Sequence, residues 1–331
     1  MKRDKTNELS LSGTFTRRQM VKSLASTGAG VAASLLASRQ VTAAEIGNRN
    51  GTRMVAEVFF ESYPTVALRR ALRYAGDDGF VASMPQLLHA RVDASYDNII
   101  WNTWFSAYSE ESVVTTKQGN RVVVTVHGGG IFASPERYER SLRADLSRYN
   151  SEGLTGQYAA KISAHEARDV LEGILPDGSK IPVYLFDDFK RGIVDLPMRY
   201  AVILDFEVAK KGKRGYESFE LLKDDPNMIV RAGGVEALTA YLDKARDRHN
   251  TKLMGNSHSH HRIDPDQAQT RLLNLGGNRG GVGSEGKDLG LGWGYDTDDG
   301  MGASWPGGLA RYVAVAPREV STSLQYLDFE L

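Results

Sequence analysis

Cysteine is absent from all 331 residues, which excludes disulfides, thiolate metal sites, iron–sulfur clusters and cysteine nucleophiles together. A cysteine-free chain needs no oxidase to mature, although cytosolic proteins can lack cysteine too. Apolar length is also scarce. Beyond position 44 no apolar run reaches the roughly 20 residues that a membrane helix needs, so no membrane anchor is expected there. Net charge is missing as well, since 41 Lys and Arg balance 41 Asp and Glu. The balance hides an uneven distribution. Residues 1–44 hold Lys2, Arg3, Lys5, Arg17, Arg18, Lys22 and Arg39 against Asp4 and Glu8, leaving 34 basic and 39 acidic residues beyond them. A mildly acidic remainder has no electrostatic reason to seek nucleic acid or anionic lipid, and neither is expected as a partner. What the chain does have is 41% hydrophobic residues, enough for a packed core.

The basic start has a definite order. Thr16-Arg17-Arg18-Gln19-Met20-Val21-Lys22 precedes a weak apolar stretch from Met20 to Ala37, diluted by Ser23, Ser26, Thr27, Gly28, Gly30 and Ser34. Small residues follow at Val41-Thr42-Ala43-Ala44, suited to cleavage. This segment resembles the twin-arginine (Tat) signal peptide. The resemblance implies recognition by the Tat translocase, export in the folded state, and a periplasmic or extracellular (secreted) location. It also favours a protein loaded with metal before export. The expected organisation is therefore a signal at 1–44 and a single mature globular domain at 45–331. A sub-boundary, if there is one, falls near 150–160.

Residues 45–53 read as a polar lead-in. Apolar spacing predicts helices over Pro64–Tyr74 and Met84–Val92. Trp101, Trp104 and Tyr108 stand at i, i+3 and i+7, the stripe of a core helix. Val113–Thr116 and Arg121–Val126 flank Lys117-Gln118-Gly119-Asn120 and read as a β-hairpin. Ser134-Pro135-Glu136 opens a helix to about Tyr149, and Ser163 caps another to about Leu171. Strands are expected at Ile181–Phe186, Tyr200–Glu207, Met228–Arg231, Leu272–Leu275 and Tyr312–Ala316, with a long helix from Val235 to His249 after Gly233-Gly234. Residues 276–308 are glycine-heavy and read as a loop or wrapping segment. Helices and strands mix without a sustained βαβ rhythm. The expected fold is α+β, a mixed or antiparallel sheet with packed helices and a long glycine-rich C-terminal loop segment.

Several motifs come close to known chemistry. His127-Gly128-Gly129-Gly130 after the strand Val122–Val126 resembles the oxyanion-hole motif of lipase and esterase α/β-hydrolases. The nearest nucleophile elbow, Val282-Gly283-Ser284-Glu285-Gly286, lacks its first glycine, and no histidine lies beyond His261. A glycine turn is the better reading. Gly281–Asp288 comes near a P-loop, yet Asp288 stands where a hydroxyl is needed and more glycines follow where a helix should begin. Asp296-Thr297-Asp298-Asp299-Gly300 departs from calcium-loop spacing and reads as an acidic turn.

The densest chemical cluster is Ser257–Asp266. His258 and His260 of an extended segment point the same way, about 7 Å apart, with His261, Asp264 and Asp266 close in sequence. Such nitrogen and oxygen ligands suit Zn, Mn, Ni or Fe. Asp205 and Glu207 share one face of a strand end, where they could act as acid and base with His127. His165 and Asp169, four apart on a helix, form a surface pair. The leading expectation is an exported metal-dependent or acid–base hydrolase, with metal at His258, His260, His261, Asp264 and Asp266 and catalysis at His127, Asp205 and Glu207. The alternative is a non-catalytic exported module that binds a glycan or peptide through Trp293, Tyr295 and Trp305, or a subunit of an exported complex.

The leader reading has a direct test. A fluorescent reporter fused behind residues 1–44 is expected in the periplasm of a bacterium with a working Tat translocase. Replacing Arg17→Lys together with Arg18→Lys should strand it in the cytoplasm, which cell fractionation reads directly.

Overall fold

The computed structural model describes residues 52–146, 159–213, 215–249, 253–256, 268–276, 291–293 and 310–319. Within them the chain order begins with β1 (Thr52–Glu61), α1 (Pro64–Ala75), β2 (Phe80–Val81), α2 (Met84–Asp93) and α3 (Ile99–Asn102). Next come β3 (Phe105–Thr115), β4 (Arg121–His127), a 3-10 turn at Ile131–Ala133, α4 (Pro135–Leu146), β5 (Ala159–Lys161) and α5 (Ala164–Glu172). The middle of the chain holds β6 (Val183–Leu185), α6 (Phe186–Lys190), β7 (Tyr200–Asp205), α7 (Phe206–Lys210), β8 (Gly215–Ser218), α8 (Phe219–Lys223) and α9 (Pro226–Ala232). The last elements are α10 (Val235–His249), β9 (Leu253–Asn256), β10 (Gln269–Leu275), β11 (Leu291–Trp293) and β12 (Ala310–Glu319).

The main sheet has seven strands, ordered β11-β10-β3-β4-β7-β6 with β5 also on β10. Most of its pairs are antiparallel, whereas β6 runs parallel to β7. A three-stranded sheet, β1-β12-β2, joins the first described strand to the last. The fold is α+β, as its sequence pattern indicates.

Local signals explain most of these elements. The β3–β4 hairpin is built from valines that favour extended backbone, and it turns where Gly119 takes φ 85. On α5, Ser163 Oγ accepts the Glu166 N–H while Glu166 accepts the Ser163 N–H at 2.8 Å, a reciprocal cap. Gly173, in the left-handed conformation, ends that helix.

Helices cover both faces of the main sheet. On one, Phe105, Ala107, Val113, Val123, Leu204 and Leu273 pack against residues of α2, α9 and α10, among them Leu87, Ile229 and Leu242. On the other, Val122, Val124 and Val126 meet Ile131 and the α5 residues Ala167 and Val170. Helix α1 lays Ala67, Leu68 and Ala71 against Phe59, Tyr312 and Ala314 of the smaller sheet.

The structure corrects four local expectations. Met228–Arg231 lies in helix α9, because Asp225 caps the amides of Asn227 and Met228 and Pro226 sits in the first turn. Those start signals outweigh a short β-branched run. The strand from Tyr200 stops at Asp205, whose carboxylate accepts the Glu207 and Val208 amides and starts α7. Asp205 and Glu207 therefore do not share a strand face. Trp101 lies in α3 while Tyr108 lies in β3, so they form no helical stripe. Strand β1 occupies Thr52–Glu61, part of which read as lead-in. The cluster Ser257–Asp266 lies outside the described residues except for its approach strand β9, as does most of the glycine-heavy segment, of which β11 is described.

The role of Asp205 as a helix cap is testable. Asp205→Ala should lower stability by about 1 kcal/mol in urea unfolding, and Asp205→Asn, which can still cap, should retain most of it.

Candidate functional site

Strand β3 carries Ser109, Glu110, Glu111 and Ser112 in succession, all of them buried. Successive side chains on a strand point to opposite faces. Ser109 and Glu111 thus project toward α2 and α9, and Glu110 and Ser112 toward the other side.

On the first face His127 lies opposite Ser109 on β4. Ser109 Oγ and His127 Nδ1 are 2.9 Å apart, and His127 Nε2 is 3.0 Å from the Val230 carbonyl of α9. A carbonyl only accepts, so Nε2 carries the proton and Nδ1 accepts from the Ser109 hydroxyl. That hydroxyl in turn accepts the Met84 N–H at 2.9 Å, at the start of α2. Burial pushes the imidazole down to about 4, against the upward pull of the Val230 hydrogen bond and the nearby Glu111 charge. His127 is neutral at neutral pH, fully enclosed, and engaged through both ring nitrogens. Beside it Arg231 of α9 donates to Glu111 through Nε at 2.7 Å and Nη2 at 2.9 Å, a two-pronged ion pair with both side chains buried.

On the second face the glycines after His127 have a distinct task. Gly128, Gly129 and Gly130 all have positive φ, at 76°, 153° and 121°. The amides of Gly128 and Gly129 are spent on the Tyr108 carbonyl, at 2.9 and 3.2 Å. The turn then aims the Ile131 and Phe132 amides at the Glu110 carboxyl, Phe132 N–H at 3.0 Å. A Cβ on Gly130 would overlap that carboxyl. The run that resembles an oxyanion hole is thus a receptor already filled by the protein's own side chain. Burial pushes Glu110 up to about 7, opposed by the two amides, the Thr270 hydroxyl and the Arg137 charge.

The remaining sequence candidates lie elsewhere. In the β4–β7 register His127 faces Tyr200 while Asp205 faces Val122, five residues along. That is about 17 Å at strand rise. Glu207 lies one helical turn from Lys210 and pairs with it at 3.1 Å on the surface. The structure does not bring His127, Asp205 and Glu207 together. His258, His260, His261, Asp264 and Asp266 lie outside the described residues. His165 and Asp169 do form their surface pair, at 3.1 Å.

A different constellation reaches the surface. Phe60 of β1 and Arg311 of β12 are register partners, and Trp104 directly precedes β3. The Arg311 guanidinium lies 4.5 Å from the Phe60 ring centre and 5.0 Å from that of Trp104. Its Nη1 donates to the Trp104 carbonyl at 3.3 Å. The two rings meet edge-on at 6.4 Å. Phe60 is 44% exposed, unusual for a phenylalanine already in contact with a second ring and a cation. Flat groups held this way form a preorganised stacking surface. Sequence reasoning placed Trp104 in a core helix and passed over Phe60 and Arg311. Only the run Val55–Phe60, rich in β-branched and aromatic residues and broken by a single glutamate, hinted at the strand that carries Phe60.

No protein-family model matches the chain, and no curated protein does. Among solved structures it is similar to one described as "Accommodation of massive sequence variation in Nanoarchaeota by the C-type lectin fold". The TM-score is 0.53 at 24% identity, over 80% of this chain and 99% of that one. The likeness is one of fold.

The two buried titrating groups oppose each other. As pH falls from 6.5 to about 4, the unfolded chain protonates its histidine before the folded one does, so His127 costs stability in that window. As pH rises from 4.5 to about 7, the unfolded chain releases its proton first, so Glu110 costs stability there. Each effect is on the order of 3 kcal/mol across its window. Between 4.5 and 6.5 they cancel in slope. Chemical denaturation across pH should show His127→Gln gaining stability on acidification through that range and Glu110→Gln losing it. Parental profiles in both variants would refute the assignment.

Proposed function

We propose that this chain is a non-catalytic ligand-binding module, exported in the folded state to the periplasm or beyond. Its ligand surface lies where Phe60, Trp104 and Arg311 meet. The observation that carries this reading is the exposure of Phe60 within a rigid stack of two rings and a guanidinium. Such a surface gives stacking area at little entropic cost to a sugar ring or to an apolar or aromatic peptide side chain. Support also comes from the interior. The Ser109–His127 pair and the glycine turn, which together suggest acyl-transfer chemistry, are enclosed and mutually satisfied. Both ring nitrogens of His127 are engaged, and the amides of Gly128, Gly129, Ile131 and Phe132 are already bonded within the protein. The C-type lectin fold likeness agrees with a binding role without naming a ligand.

Screening the mature protein on arrays of glycans and peptides tests the proposal. Phe60→Ala and Trp104→Ala are each expected to weaken whatever binds by about tenfold or more, with unchanged circular dichroism. Elemental analysis of the same preparation decides against it in one case. Stoichiometric Zn, Mn, Ni or Fe, lost together with a hydrolytic activity in His258→Ala and His260→Ala, would establish the hydrolase instead.

A further inference from the structure

We draw no further inference here: the strongest candidate, the apolar surface loop between α6 and β7 on which Val194 is 88% and Met198 39% exposed, carries nothing because nothing in the structure shows what covers it.

Discussion

Two neighbouring carboxylates on an interior strand impose the strongest constraint on this molecule. Glu110 and Glu111 are both buried in β3, and an uncompensated buried charge is among the costliest features a fold can carry. Strand alternation sends them to opposite faces, so each must be answered separately. Glu111 is answered by Arg231, which pins α9 to one face of the sheet. Glu110 is answered by the amides of Ile131 and Phe132, which pin the turn leading into α4 to the other. Losing one partner of a buried pair typically costs about 3–5 kcal/mol. The helical layers are thus registered against the sheet by charge as well as by apolar packing.

This constraint also accounts for the residues that mimic catalysis. The glycines after His127 are needed because a side chain at Gly130 would displace the Glu110 carboxyl. The imidazole of His127 joins β3, β4, α2 and α9 through one chain of hydrogen bonds. These groups make polar demands that only one arrangement of the elements satisfies. At the periphery the smaller sheet presents Phe60 beside Trp104 and Arg311.

Local signals made much of the secondary structure legible. Gly233-Gly234 before Val235–His249, the reciprocal cap at Ser163 and the valines flanking Gly119 each act within a few residues, and each element formed as expected. The misreadings share a cause. Asp205 and Asp225 act as helix caps, and a cap is recognised only once the next residues are known to turn. Adjacent acids such as Glu110-Glu111 ordinarily signal a solvated face, and nothing near them in the chain discloses the arginine 120 residues away.

Read by itself, the amino-acid order determined the α+β class, the starts of helices such as those at Pro64, Ala164 and Val235, and the absence of all cysteine chemistry, because these depend on composition or on contacts within one or two turns. Tertiary structure alone decided that His127 is buried and hydrogen-bonded through both ring nitrogens, and that Phe60, Trp104 and Arg311 meet. Those outcomes depend on which distant strands become neighbours. The pairing of β1 with β12 joins opposite ends of the described chain, and sheet register, a property of the assembled fold, sets which groups meet.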